Sequence, residues 1–121
     1  MEDYTKLVSI LLHSSTQVHI FHLQTNSYSE HKALNKYYDE IVELTDALIE
    51  TYQGKYGILK NYSNLPLKNY VDNVQLLEYF NQLDRLIEIV RLEFKDSYIQ
   101  NQIDSVVALI QSTKYKLRFL S

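Results

Sequence analysis

Apolar residues recur along this chain in alternating steps of three and four, the signature of a helix with one buried face. The pattern appears four times. The first run, from about Tyr4 to Thr25, puts Val8, Leu11, Ser15, Val18 and His22 on one stripe, flanked by Leu7, Leu12 and His19. The second, from about Glu30 to Gln53, carries Leu34, Tyr37, Ile41, Leu44, Leu48 and Tyr52. The third, from about Lys68 to Lys95, carries Leu76, Phe80, Leu83, Ile87, Val90 and Phe94. The fourth, from about Ser97 to Leu120, carries Ile99, Ile103, Val106, Ile110, Leu117 and Leu120.

The breaks between runs carry their own signals. Ser27 or Ser29 suits the cap of the second helix, and Asp96-Ser97 the cap of the fourth. Gly54 suits the position that stops the second helix. Gly57, Asn61, Asn64 and Pro66 mark an irregular crossover in the middle. Four long helices with short links at the ends describe an all-α four-helix bundle, built as two helical hairpins joined by a crossover. At 121 residues the chain is expected to form one domain, 1–121.

Composition narrows the chemistry. Two glycines and one proline leave few places to interrupt a helix. The lack of cysteine removes disulfides, thiolate metal sites and cysteine nucleophiles. No run approaches the ~20 apolar residues of a membrane span, and Met1-Glu2-Asp3 lacks the basic start of a signal peptide. A cytoplasmic protein with no membrane association is therefore expected. A net charge of −3 argues against DNA as a partner, because that binding rests on Lys and Arg contacts to phosphate. Eleven tyrosines without tryptophan suit helix seams and subunit contacts. Tyr37, Tyr38, Tyr52, Tyr56, Tyr62, Tyr70, Tyr79, Tyr98 and Tyr115 are expected to be half-buried.

Candidate chemistry lies on the second helix. At about 100° per residue, Asp46 falls roughly 60° and Glu50 roughly 100° around from His31, with Asn35 and Asp39 inside the same arc. An imidazole and two carboxylates form a ligand set that zinc, iron or manganese accepts. The same stripe also fits a solvated face with His31 packed near a helix start. His19 and His22, one turn apart, fit either a metal chelate or histidines hydrogen-bonded to a neighbouring helix. The GKYG segment at Gly54 to Gly57 lacks the spacing and the Ser/Thr of a phosphate loop. Ser14-Ser15 beside His13 lies inside a helix, where no oxyanion hole forms. No organic cofactor is expected.

Two segments resemble the Dps-like branch of the ferritin superfamily. These are His19 to Glu50, HIFHLQTNSYSEHKALNKYYDEIVELTDALIE, and Asp96 to Leu120, DSYIQNQIDSVVALIQSTKYKLRFL. His19, His31, Asp46 and Glu50 match that family's two histidines and later Asp and Glu in spacing. The resemblance implies a ferritin-like, Dps-type bundle in a homo-oligomeric shell. It implies a site for iron or another divalent metal, with His19 or His22 and His31 from one subunit and Asp46 and Glu50 from its neighbour. It also implies ferroxidase-like oxidation of Fe(II) by peroxide or oxygen.

The departures point elsewhere. Asn35 stands where the family places another Asp, Ile20-Phe21 replaces Trp-Asn, and no basic tail is present. The Glu-x-x-His pair of di-iron bundles is also missing. These favour the alternative, a non-catalytic interaction protein that keeps a ferritin-like body without its metal chemistry. It would bind a host protein or small ligand, or act as a scaffold, with tyrosines as contact residues. The run His22 to Gly57, HLQTNSYSEHKALNKYYDEIVELTDALIETYQGKYG, resembles a group of small bacteriophage proteins, which brings no activity with it.

Overall fold

The computed structural model describes residues 2–120 and contains four α helices, with no strand among the described residues. These are α1 (Glu2–Gln24), α2 (Tyr28–Tyr56), α3 (Asn73–Val90) and α4 (Ser97–Phe119), with a 3-10 turn (Arg91–Glu93) after α3.

The local chemistry sets each boundary. Ser27, not Ser29, caps α2, its hydroxyl accepting the Glu30 amide at 3.3 Å. Gly54 does not stop that helix. It continues to Tyr56 because Lys55 and Tyr56 both bind Asp96, which anchors the last turn to the start of α4. Gly57 ends it in the left-handed region, at φ 103°, and donates its amide to the Gln53 carbonyl at 3.0 Å. Since Asp96 is engaged there, its side chain makes no capping bond to α4, although it occupies the cap position. Nor does α3 begin near Lys68. Asp72 caps it by accepting the Gln75 amide at 2.8 Å, and residues 68–71 belong to the crossover.

The crossover, residues 57–72, has no helix and runs along α1 in the same direction. A ladder of polar α1 side chains satisfies its backbone. Ser9 Oγ accepts the Ser63 amide at 2.9 Å, and His13 Nε2 donates to the Pro66 carbonyl at 2.8 Å. Gln17 bonds both the amide and the carbonyl of Lys68, and Gln24 Oε1 accepts the Tyr70 amide at 2.7 Å. The lengths agree: fifteen helical residues rise about 22 Å, and seven extended residues span about 23 Å. The strap thereby returns the chain to the C-terminal end of α1. The start of α2, the start of α3 and the end of α4 lie at that same end.

α1 packs on α2, α2 on α4, α4 on α3, and α3 on α1. The core draws on Leu7, Leu11 and Phe21 of α1, Leu34, Ile41 and Leu48 of α2, Leu76, Phe80 and Ile87 of α3, and Ile99, Ile103 and Ile110 of α4. Leu12 and His19, placed on the flanks by the periodicity, are exposed. Tyr4, Tyr37 and Tyr52 are fully buried, whereas Tyr56, Tyr62, Tyr98 and Tyr115 are exposed rather than half-buried. Tyr37 hydrogen-bonds Ser14 Oγ at 2.8 Å, and Tyr4 donates to the Leu48 carbonyl at 3.1 Å while stacking on Tyr52. Among the described residues no helix is long and apolar enough to cross a membrane.

Candidate functional site

Only residues 25–27 separate α1 from α2, and this short link brings His22 and His31 face to face. Their rings lie 3.6 Å apart and 19° from parallel. His22 Nδ1 bonds the His31 carbonyl at 2.6 Å, and His31 Nδ1 bonds the His22 carbonyl at 2.9 Å. A carbonyl oxygen only accepts, so both Nδ1 atoms carry hydrogen, and in the neutral rings Nε2 keeps the lone pair. His19 stacks on Tyr38 at 4.2 Å and sits edge-on to His22 at 5.9 Å. Tyr38 donates to Asn35 Oδ1 at 2.7 Å, and Asn35 Nδ2 donates to Asp39 at 3.1 Å. A cleft of about 290 Å³ opens beside the pair, lined by His22, Tyr28, His31, Lys32 and Asn35.

Glu30 organises the same end. It is buried, and its carboxylate accepts three neutral donors: Thr25 Oγ1 at 2.6 Å, Tyr70 Oη at 2.8 Å and Asn73 Nδ2 at 2.8 Å. Asn73 also donates to the Leu117 carbonyl at 3.1 Å. One carboxylate thus links the α1–α2 turn, the strap and α3, and through Asn73 the end of α4. The periodicity gave no hint of it. The available signal was the Ser27-x-x-Glu30 spacing of a capping box, although the Ser27 amide goes to Thr25 Oγ1 at 3.1 Å rather than to Glu30 itself.

The structure gathers His19, His22 and His31 but leaves Asp46 and Glu50 far from them. Fifteen and nineteen residues along the same helix amount to about 22 and 28 Å of rise. The arc shared by His31, Asp46 and Glu50 is therefore a common direction without a common height, and within one chain they form no site. Among the described residues no group of three or more His, Asp or Glu side chains is placed to hold a metal ion. The stacked pair is also poorly shaped to chelate. An ion about 2.1 Å from both Nε2 atoms would stand well out of both ring planes, away from the lone pairs. His13 is spent on the Pro66 carbonyl.

A model of a family of unknown function, DUF5856, matches residues 22–117, a span that begins at His22 and takes in Glu30, His31, Asp46 and Glu50. The chain belongs to the DUF5856 family. It is also similar to the uncharacterized 14.6 kDa protein in the mobD-ri intergenic region of Enterobacteria phage T4, with 26% identity over 117 residues, covering 91% of this chain and 84% of the relative. No solved structure matches the chain. These matches support the resemblance to small phage proteins, and neither supports a place in the ferritin superfamily. In this DUF5856 chain the matched span covers α2, the strap, α3 and nearly all of α4, together with the last turn of α1.

Proposed function

We propose that this DUF5856 protein is a non-catalytic, phage-type interaction protein that docks on a partner protein through the end carrying His22 and His31. We also infer that its helices form a one-crossover bundle; the neighbour relations of the helices and the direction of the strap support that arrangement.

The observation that carries the docking reading is apolar exposure at this end. Leu23, Tyr28, Val71, Val74 and Phe119 are 68, 73, 69, 74 and 62% exposed. They come from the end of α1, the start of α2, the end of the strap, the start of α3 and the end of α4. The Glu30 network holds those segments together. Large side chains on a fixed frame lose little further freedom on binding, which is how contact residues gain affinity.

The test compares the wild type with a Leu23→Ser, Val74→Ser, Phe119→Ser variant whose helicity is unchanged. A protein retained from host-cell extract is purified and tested for one-to-one binding. Binding lost in the variant supports the reading, and equal binding by both proteins overturns it.

A second reading, divalent-metal binding, rests on one observation. Both Nδ1–H groups of the histidine pair are fixed on carbonyls, the arrangement that orients a ligating imidazole through Nε2. Since the stacked rings do not converge on one ion, such a site needs ligands from a second chain. Fe(II) titration of the wild type beside His31→Ala tests it, and equal binding by the two removes the pair from consideration.

A further inference from the structure

The outer face of α2 is charge-segregated. Taking Lys32 as zero, Lys36, Asp39, Glu43, Asp46 and Glu50 all fall within about 40° of it. All six are exposed. The two lysines occupy the N-terminal end and the carboxylates the remainder, along about 27 Å of helix. Among the described residues Lys32, Glu43, Asp46 and Glu50 have no salt-bridge partner; Lys36 reaches Glu40 only at 3.8 Å.

Beside the two lysines lies a groove of about 360 Å³, lined by Ser29, Lys32, Ala33, Lys36, Lys116 and Leu120. Half of that lining is lysine and none is acidic, in a chain with net charge −3. The groove therefore calls for an acidic helix over a small apolar floor, and the matching acidic stripe stands on the same helix at the same azimuth.

We propose that a second copy of this chain pairs with the first through α2, the two helices antiparallel. With the two-fold axis near residues 39 and 40, Lys36 lies opposite Glu43, and Lys32 opposite the turn bearing Asp46 and Glu50. The second half of the interface repeats this by symmetry. Lys116 adds a third cation to each basic end. A parallel pair would set lysine on lysine and carboxylate on carboxylate, which excludes it. At the axis, Asp39 accepts a hydrogen bond from Asn35 of its own helix at 3.1 Å, and Glu40 has Lys36 of its own helix as an ion-pair neighbour at 3.8 Å. Exposed ion pairs are individually weak, so the dimer dissociates readily and its affinity falls with salt. The pairing rests on the charges of α2 and does not need the docking reading, although Lys32 also lines the cleft beside His22 and His31.

Sedimentation equilibrium of the wild type, K32E/K36E, E43K/E50K and an equimolar mixture of the two variants tests the pairing, with circular dichroism to confirm each fold. The wild type should dimerise at low salt and dissociate at high salt. Each variant alone should associate at least about tenfold more weakly, and the mixture should recover association because opposite charges face each other again. A wild type that is monomeric at low salt up to its solubility limit overturns the proposal. So does a K32E/K36E dimer as tight as wild type, or a mixture that does not associate.

Discussion

Gln17 holds both backbone polar groups of Lys68: Gln17 Oε1 accepts the Lys68 amide at 2.7 Å, and Gln17 Nε2 donates to the Lys68 carbonyl at 2.8 Å. A buried side-chain amide on α1 thus does for the strap what a neighbouring strand would do in a sheet. Gln17→Ala leaves both backbone groups to find water and should cost about 1–3 kcal/mol. Gln17→Glu keeps an acceptor but loses the donor and faces the carbonyl with an anion. In both variants, hydrogen exchange at Lys68 and Tyr70 should accelerate while the α2 core amides stay protected. Unchanged exchange at Lys68 would show that the strap is held by other means.

The His22–His31 pair makes a prediction about coupling. Each ring ties its Nδ1 to the other's backbone and packs on the other's face, so removing either weakens what the other can do. His22→Ala and His31→Ala should each destabilise by about 1–2 kcal/mol, and the double variant should lose about 0.5–1.5 kcal/mol less than the sum. Urea denaturation of the four proteins measures this directly. Strict additivity would make the stacking incidental.

How far the sequence reaches is visible at particular residues. Steps of three and four place Leu34, Ile41 and Leu48, and likewise Leu76, Phe80 and Ile87, on faces that are buried. The ends are less legible because they depend on distant partners. Lys55 and Tyr56 extend α2 past Gly54 by reaching Asp96, about forty residues on. Lys68 leaves the third helix because Gln17 claims both its backbone groups. The histidine cluster is half legible: His19, His22 and His31 do meet, but periodicity reports direction around a helix and not height along it, and Asp46 and Glu50 stand more than four turns from His31 on the same helix. Glu30 was hidden because a buried carboxylate served by three neutral donors looks in sequence like any acid in a first turn.

Glu30 should be the most sensitive polar residue at the docking end. Glu30→Gln presents one acceptor oxygen where the carboxylate supplies two, so Thr25 and Tyr70 on one side and Asn73 on the other cannot all be kept. A loss of about 1–3 kcal/mol is expected, with the amide signals of Tyr70 and Asn73 shifted and those near Gly57 unchanged. A variant as stable as wild type would mean that water replaces the lost bonds.

High pH should unfold this protein through its buried tyrosines. Burial pushes the hydroxyls of Tyr4 and Tyr37 well above the ordinary tyrosine value, and a bond from Ser14 offsets only part of the effect at Tyr37. Tyr79 is raised by burial too, and among the described residues its hydroxyl has no hydrogen-bond partner. In each case the folded state holds its proton more tightly than the unfolded chain, whose tyrosines ionise near pH ~10. Stability from these groups is therefore complete below about pH 10 and is lost as pH rises above it, because the unfolded chain releases protons that the folded one keeps. The urea midpoint should fall steeply on that alkaline limb, with phenolate absorbance from these tyrosines appearing together with loss of helix. Tyr79→Phe removes a hydroxyl that gains nothing in the fold, so it should leave neutral-pH stability equal or raised by up to about 1 kcal/mol and flatten the limb. Tyr37→Phe should flatten it as well, but it gives up the bond to Ser14 and should cost about 1 kcal/mol at neutral pH. If Tyr79→Phe is clearly destabilising, its hydroxyl has a partner, such as a buried water, and the alkaline loss belongs to Tyr4 and Tyr37.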